Sequence, residues 1–379
     1  MTIPNTNRPV IHKGLNGVVV DSTSISDVDP TITSLTYRGY PVQELATECS
    51  FEEVAYLLWN GELPDPGELS LFSQRERTSR SIDPRLQDLI FSMPENCHPM
   101  DVLRTAVSWL GARDQNHDVH QSGLSLLAKL PTVVAYDLRR RRGADVIAPS
   151  RDRGVASNFL YMCFGDGPES PATNFYDVEA FDRSLTLYAE HSFNASTFTA
   201  RVISSTLSDV YSAITGAVGA LKGPLHGGAN EAVMEAMLEI GDPDRAADWV
   251  RAQVDAGNKI MGFGHRVYRT GDSRVPTMEE SMRRIAASHG GETWVQMYDA
   301  MAEAMEERTG ILPNLDFPAG PLYHMLGIDI PFFTPIFVLA RTVGWTAHIA
   351  EQYADNSLIR PLSNYVGPGR REINPQAAA

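Results

Sequence analysis

Along the chain, apolar residues recur mostly three and four positions apart, the spacing that lines one face of an α-helix. Phe51, Val54, Ala55 and Leu58 keep that spacing behind Ser50 and Glu53, whose separation is that of a capping box. Pro64, Asp65, Pro66 and Gly67 then break the chain into a turn. Further helices are predicted over 67–78, 84–93, 99–112, 121–130 and 131–142, many entered at Pro or Ser, with Gly143 as a C-cap. Residues 177–190 read as a helix with Asp177 as its N-cap. Thr334 and Pro335 open another, with Ile336, Leu339, Ala340, Val343, Ala347 and Ala350 on one face. Alternation of period two is scarce. Gly17–Val20 and Ser34–Tyr37 are predicted to pair as a small N-terminal hairpin, and the βαβ rhythm of a parallel sheet is absent. The pattern predicts an all-α protein with a minor N-terminal β-hairpin.

Length and charge narrow this. A chain of 379 residues suggests two domains, or one large domain with an inserted lobe. The net charge of −15 argues against a general nucleic-acid binder, which needs a net basic face, but permits a local basic pocket for an anionic small molecule. Cys49, Cys97 and Cys163 are far apart and odd in number, giving neither a disulfide framework nor a CxxC zinc pattern. A reducing cytoplasm is the expected setting. The first residues carry no apolar signal core and no stretch reaches 18 uninterrupted apolar residues, so neither secretion nor a membrane is expected.

Candidate chemistry gathers where glycines sit beside histidines and arginines, from Gly216 to Gly241 and from Gly257 to Gly271. Gly223–Asn230 (GPLHGGAN) sets His226 in a turn before a helix over 229–240, whose unpaired N–H groups favour an anion or a neutral imidazole. A plain surface turn reads equally well there. Met261–Arg269 (MGFGHRVYR) follows Lys259 and puts His265 in a cationic loop of an acidic protein, which points to an anionic ligand; Arg274 comes nine residues later. Asp316, in NLDFPAG (314–320), is a candidate base if burial raises its pKa, and otherwise an N-cap. Arg341 and Arg360, taken singly, read as ion-pairing or snorkelling side chains, and Glu190–Ser196 as capping chemistry. His117, Asp118 and His120 have ligand-like spacing in a polar loop. Phosphate-loop, dinucleotide-binding, zincin and hydrolase-elbow motifs are absent from the sequence.

Taken in order, GPLHGGAN (223–230), MGFGHRVY (261–268) with GDSR (271–274), NLDFPAG (314–320), the Arg341 helix and IRPLS (359–363) resemble the citrate synthase family. The resemblance runs from YRGYPVQEL (37–45) almost to the end, and EHSFNASTFTAR (190–201) and LHGGANEAVM (225–234) are most similar to its 2-methylcitrate synthase branch. It implies a large helical domain of residues 1–220 and 321–379, a small one of residues 221–320, and a homodimer. It also implies condensation of propionyl-CoA, and of acetyl-CoA, with oxaloacetate, without a metal. By the same resemblance Asp316 matches the base, His226 the donor to the thioester oxygen, and His265 the group that polarises the oxaloacetate carbonyl and protonates the alkoxide. His191, Arg274, Arg341 and Arg360 match the oxaloacetate set, with Arg360 supplied by the partner subunit, and Arg77 is a further candidate contact. Lys259, Ile260, Met261, Gly262, Phe263 and Arg269 match the CoA loop.

The residue types suit that chemistry. A thioester α-carbon is a very weak acid and a single general base contributes only about 10²–10⁴-fold, so the enolate needs a preorganised donor as it forms. Oxaloacetate carries two planar carboxylates, which guanidinium forks bind bidentately. Two readings compete: a metal-dependent helical phosphohydrolase built on His117 and Asp118, and a catalytically silent acyl-CoA-binding protein. The second would be favoured by loss of His226, His265 or Asp316, and all three are present.

Overall fold

The structure, a computed structural model, describes residues 10–15, 17–29, 31–115, 118–265 and 271–371. A three-stranded antiparallel sheet comes first: β1 (Ser26–Asp29), β2 (Ser34–Tyr37) and β3 (Tyr40–Pro41). Helices follow as α1 (Val42–Glu48), α2 (Phe51–Asn60), α3 (Pro66–Ser79), α4 (Pro84–Ser92), α5 (Pro99–Arg113), α6 (Val119–Arg141), α7 (Val155–Phe164) and α8 (Phe175–Tyr188). Then come α9 (Ala195–Ser204), α10 (Val210–Leu221), α11 (Ala229–Ile240), α12 (Pro243–Asp255), α13 (Val275–His289), α14 (Glu292–Thr309), α15 (Asp316–Met325) and α16 (Phe333–Ala354). The fold is predominantly helical and two-domain.

Local chemistry sets most boundaries. Both halves of the Ser50–Glu53 capping box form at α2, and Gly61 ends that helix at φ +93°. Asp65 caps α3 in the same way, with Pro66 at the first helical position. Three expectations change. The strand paired with β2 is β1, with Ser26 opposite Tyr37, whereas Val18–Val20 are exposed and unpaired in any strand. The helices expected over 121–130 and 131–142 are one, α6, continuous through Pro131. Its Leu126, Leu130, Val133, Val134 and Leu138 are buried, and that burial outweighs the hydrogen bond a proline removes. The N-cap of α8 is Asn174, which accepts from the Tyr176 and Asp177 amides, while Asp177 pairs with His289 at 2.9 Å.

The apolar face expected on α16 is the centre of the core: Ile336, Leu339, Ala340, Val343 and Ala347 are buried against α6, α8, α9 and α10. The span Ile330–Ala354 is long and apolar enough to cross a membrane, but most of it is buried inside the protein, as befits a core helix. In the second group of helices α12 packs on α14 and α15 on α11 and α13, with α13 also resting on α8. Gly216 and Gly320 permit close packing: a Cβ on Gly216 would stand 2.3 Å from Ile203 Cδ1, and one on Gly320 3.0 Å from Asn230 O.

Candidate active site

Five segments bring the candidate groups together. His191 lies in the loop from α8 to α9, His226 in the turn before α11, and His265 ahead of α13, which Arg274 immediately precedes. Asp316 is the first residue of α15, and Arg341 sits inside α16. Tyr188, the last residue of α8, joins them. Its hydroxyl donates to Asp316 Oδ1 at 2.6 Å, its carbonyl accepts from Arg341 Nε at 2.6 Å, and its ring packs on Phe337 at 4.3 Å. The Arg341 guanidinium covers Phe337 at 4.6 Å, and the His226 ring meets the same phenyl edge-on at 6.2 Å. The His191 and His265 rings are 4.9 Å apart.

Arg274 is fixed by Asp272, which accepts from Nε at 2.9 Å and from Nη2 at 2.7 Å. The same carboxylate takes the Leu315 amide at 3.3 Å, so one buried aspartate ties this arginine to the start of the Asp316 helix. The pair of bonds from Arg274 holds Asp272 well below the usual carboxylate range despite burial.

Electrostatics set the protonation states. Burial raises Asp316 to about 6, although the Tyr188 hydrogen bond and Arg274 pull it down. His226 is depressed to about 3 by burial and by Arg341, and His265 to about 4 by burial and by Arg274. His191 is also held well below the ordinary imidazole value, by burial first and then by Arg274 and His265. Arg341 is lowered by burial only to about 10 and stays charged. At neutral pH the site therefore holds neutral imidazoles, an ionised Asp316 carboxylate and two guanidinium groups.

The geometry also decides the tautomer of His226. Its Nε2 faces the Ser196 backbone N–H at 3.2 Å and the Ser196 hydroxyl at 2.8 Å. An amide N–H can only donate, so Nε2 is the acceptor and Nδ1 carries the proton. Trp345 Nε1 donates to Ser196 Oγ at 3.1 Å, securing that hydroxyl.

The glycine-rich loop is stitched to the segment before Asp316. Gly264 N–H donates to Leu312 O, Asn314 N–H to Gly262 O and Asn314 Nδ2 to Gly264 O, each at 2.9 Å. Gly262 has φ +87°, and a Cβ there would stand 2.5 Å from Val233 Cγ2 and 2.9 Å from Phe317 Cδ2. Phe263 packs on Phe317 at 4.3 Å, Ile260 is buried, Met261 is half-buried and Lys259 is exposed.

Other candidates lie apart. Arg77 borders a separate cavity of about 340 Å³ with Glu52, Ser73 and Asp182. Arg360 lies exposed in the segment that follows α16. Arg269 and His117 fall outside the described residues, and Asp118 caps α6 through the Gln121 amide at 2.8 Å. Tyr188, Asp272, Ser196 and Phe337 escaped the sequence reading. Asp272 and Ser196 stood inside quoted motifs, whereas Tyr188 and Phe337 carry no local signal beyond apolar helix positions.

The family profile "Citrate synthase, C-terminal domain" matches residues 14–362. This chain belongs to the citrate synthase family. It is 60% identical over 371 residues to "2-methylcitrate synthase 2" of Corynebacterium glutamicum, covering 96% of this chain and 97% of that one. It is 56% identical over 378 residues to a "Citrate synthase" of Mycolicibacterium smegmatis, covering 98% and 99%. A solved citrate synthase of Thermoplasma acidophilum, in ternary complex with carboxymethyl coenzyme A and oxaloacetate, superimposes with a TM-score of 0.89 at 30% identity, over 98% of this chain and all of that one. Membership in the citrate synthase family accounts for the order of the motifs and for the helical fold around them.

Proposed function

We propose that the chain condenses propionyl-CoA with oxaloacetate and water to give 2-methylcitrate and free CoA, and acetyl-CoA to give citrate. The observation that carries this reading is the set of contacts joining one raised carboxylate, a neutral histidine of fixed tautomer and two buried arginines: Asp316–Tyr188–Arg341, with Phe337 linking His226 and Asp272 tying Arg274 to Leu315 beside Asp316. The relatives named above support the same chemistry.

Asp316 removes the α-proton of the thioester; at about 6 its pKa leaves it ionised at neutral pH yet more basic than an exposed aspartate. His226 donates Nδ1–H to the thioester oxygen as the enolate forms, the kind of preorganised donor that supplies most in a water-poor site. The nucleophilic carbon bonds to the ketone carbon of oxaloacetate, and His265 protonates the resulting alkoxide. A dianion bound between His191, Arg274 and Arg341 offsets the charge of the two arginines, raising His265 toward a protonated state suited to that step. Water then cleaves the thioester and releases CoA thiol.

The Lys259–Phe263 loop and Arg269 bind CoA in this reading, and its stitching to Leu312–Asn314 couples CoA binding to the base. A second subunit supplies Arg360; the exposed Leu358, Leu362, Tyr365 and Val366 around it support a homodimer. We assign residues 221–320 to a small domain that closes on residues 1–220 and 321–379 when oxaloacetate binds, and compaction in small-angle scattering with saturating oxaloacetate tests this. The three free cysteines fit a reducing cytoplasm.

A dedicated citrate synthase is the second reading, favoured by the Mycolicibacterium smegmatis relative of that name. The two donors differ by one methylene, worth about 1–3 kcal/mol in an apolar pocket. Thiol release with oxaloacetate and either donor tests both. Release with both and a higher kcat/KM for propionyl-CoA supports the first reading, a strong acetyl preference supports the second, and no release overturns the condensation.

A further inference from the structure

The N-terminal sheet takes no part in the chemistry above, yet two of its hydroxyls reach the histidine loop. Ser26 on β1 and Tyr37 on β2 are direct cross-strand partners, so their side chains leave the sheet on one face. Ser26 Oγ donates to Glu190 Oε1 at 2.9 Å and accepts the Ser192 N–H at 3.0 Å. The Tyr37 hydroxyl accepts the Glu190 N–H at 3.1 Å and donates to Glu190 O at 2.9 Å. Both neighbours of His191 are thus held by one pair of strands.

The loop needs such holding. Ser192 sits at φ +50°, a left-handed conformation that a residue with a Cβ adopts only when its surroundings impose it. Glu190 is fully buried, and its Oε1 also faces His348 Nε2 at 2.8 Å. On the other side α16 is bare where the loop crosses it: a Cβ on Gly344 would stand 2.3 Å from Glu190 Oε2 and 2.4 Å from Ala189 O. The clamp therefore holds a loop whose Ala189 and Glu190 lie directly against the helix that carries Arg341.

We propose that Ser26 and Tyr37 are positioning residues for His191, fixing its backbone from both sides so that the imidazole meets oxaloacetate beside Arg274 and His265. This rests on the assignment of His191 to oxaloacetate. Neither hydroxyl touches substrate; each acts through the loop.

The test is a double-mutant cycle in the full-length enzyme, reading the KM of each substrate by thiol release and the oxaloacetate Kd by calorimetry. Ser26→Ala should raise the oxaloacetate KM about tenfold, as expected for losing a hydrogen bond to a charged group. The KM for acyl-CoA should stay within about twofold, and Ser26→Thr, which keeps the hydroxyl, should restore the parental value. Tyr37→Phe should act in the same direction. Combined with His191→Ala, Ser26→Ala should add nothing further to the oxaloacetate Kd. An unchanged oxaloacetate KM in Ser26→Ala would overturn the proposal, as would an equal loss in the His191→Ala background or a parallel rise in the acyl-CoA KM. If His191→Ala alone leaves the oxaloacetate Kd at the parental value, the assignment of His191 itself fails.

Discussion

The Tyr188 hydroxyl donates a 2.6 Å hydrogen bond to Asp316 Oδ1, so the carboxylate assigned as base rests against a phenol. Burial raises the Asp316 pKa and this bond lowers it, with the balance near 6. Because the base must be ionised, kcat/KM should fall as pH drops through about 6. Tyr188→Phe removes a contribution that favours the charged form, so its acid limb should move to higher pH by about one unit. The pH profiles of kcat/KM for parent and variant measure this, and superimposable acid limbs would contradict it.

The fixed tautomer of His226 gives a graded prediction. His226→Ala removes the proposed donor to the developing oxyanion and should lower kcat by about 10²–10³-fold. Ser196→Ala keeps the backbone N–H that faces Nε2, so Nδ1 remains protonated and the loss should be about tenfold or less. Steady-state kcat for the two variants checks the order, and a larger loss in Ser196→Ala would show that the hydroxyl, rather than the amide, sets the tautomer.

Gly262 should resist substitution. In Gly262→Ala the left-handed φ and the clashes with Val233 and Phe317 should together cost about 1–3 kcal/mol of stability. The loop also carries the proposed CoA contacts, so the KM for acyl-CoA should rise while oxaloacetate binding is spared. Thermal melting and the two KM values measure both effects; a parental Tm would contradict the packing argument.

Much of this was legible in the sequence where causes are local. The Ser50–Glu53 box and Asp65 before Pro66 fix helix ends through neighbours only three residues away. The order of the glycine, histidine and arginine motifs located the residues that the fold gathers. What escaped depends on distant partners. Gly17–Val20 carries three β-branched residues in a row, but among the described residues no strand pairs with it, and Ser26–Asp29 pairs with β2 instead. Pro131 marks a break by rule and is overridden by burial that only the assembled core supplies. Tyr188 looks like any apolar helix residue until Asp316, 128 positions on, is brought against it.

Asp316→Asn tests the assignment of the base most directly. The amide keeps the shape of the side chain but cannot accept the α-proton, and the proposed oxaloacetate contacts are assigned to other residues. Calorimetry should therefore return the parental oxaloacetate Kd while thiol release from propionyl-CoA falls by about 10³-fold or more. Near-parental turnover in that variant would contradict the assignment of the base, and with it the proposed mechanism.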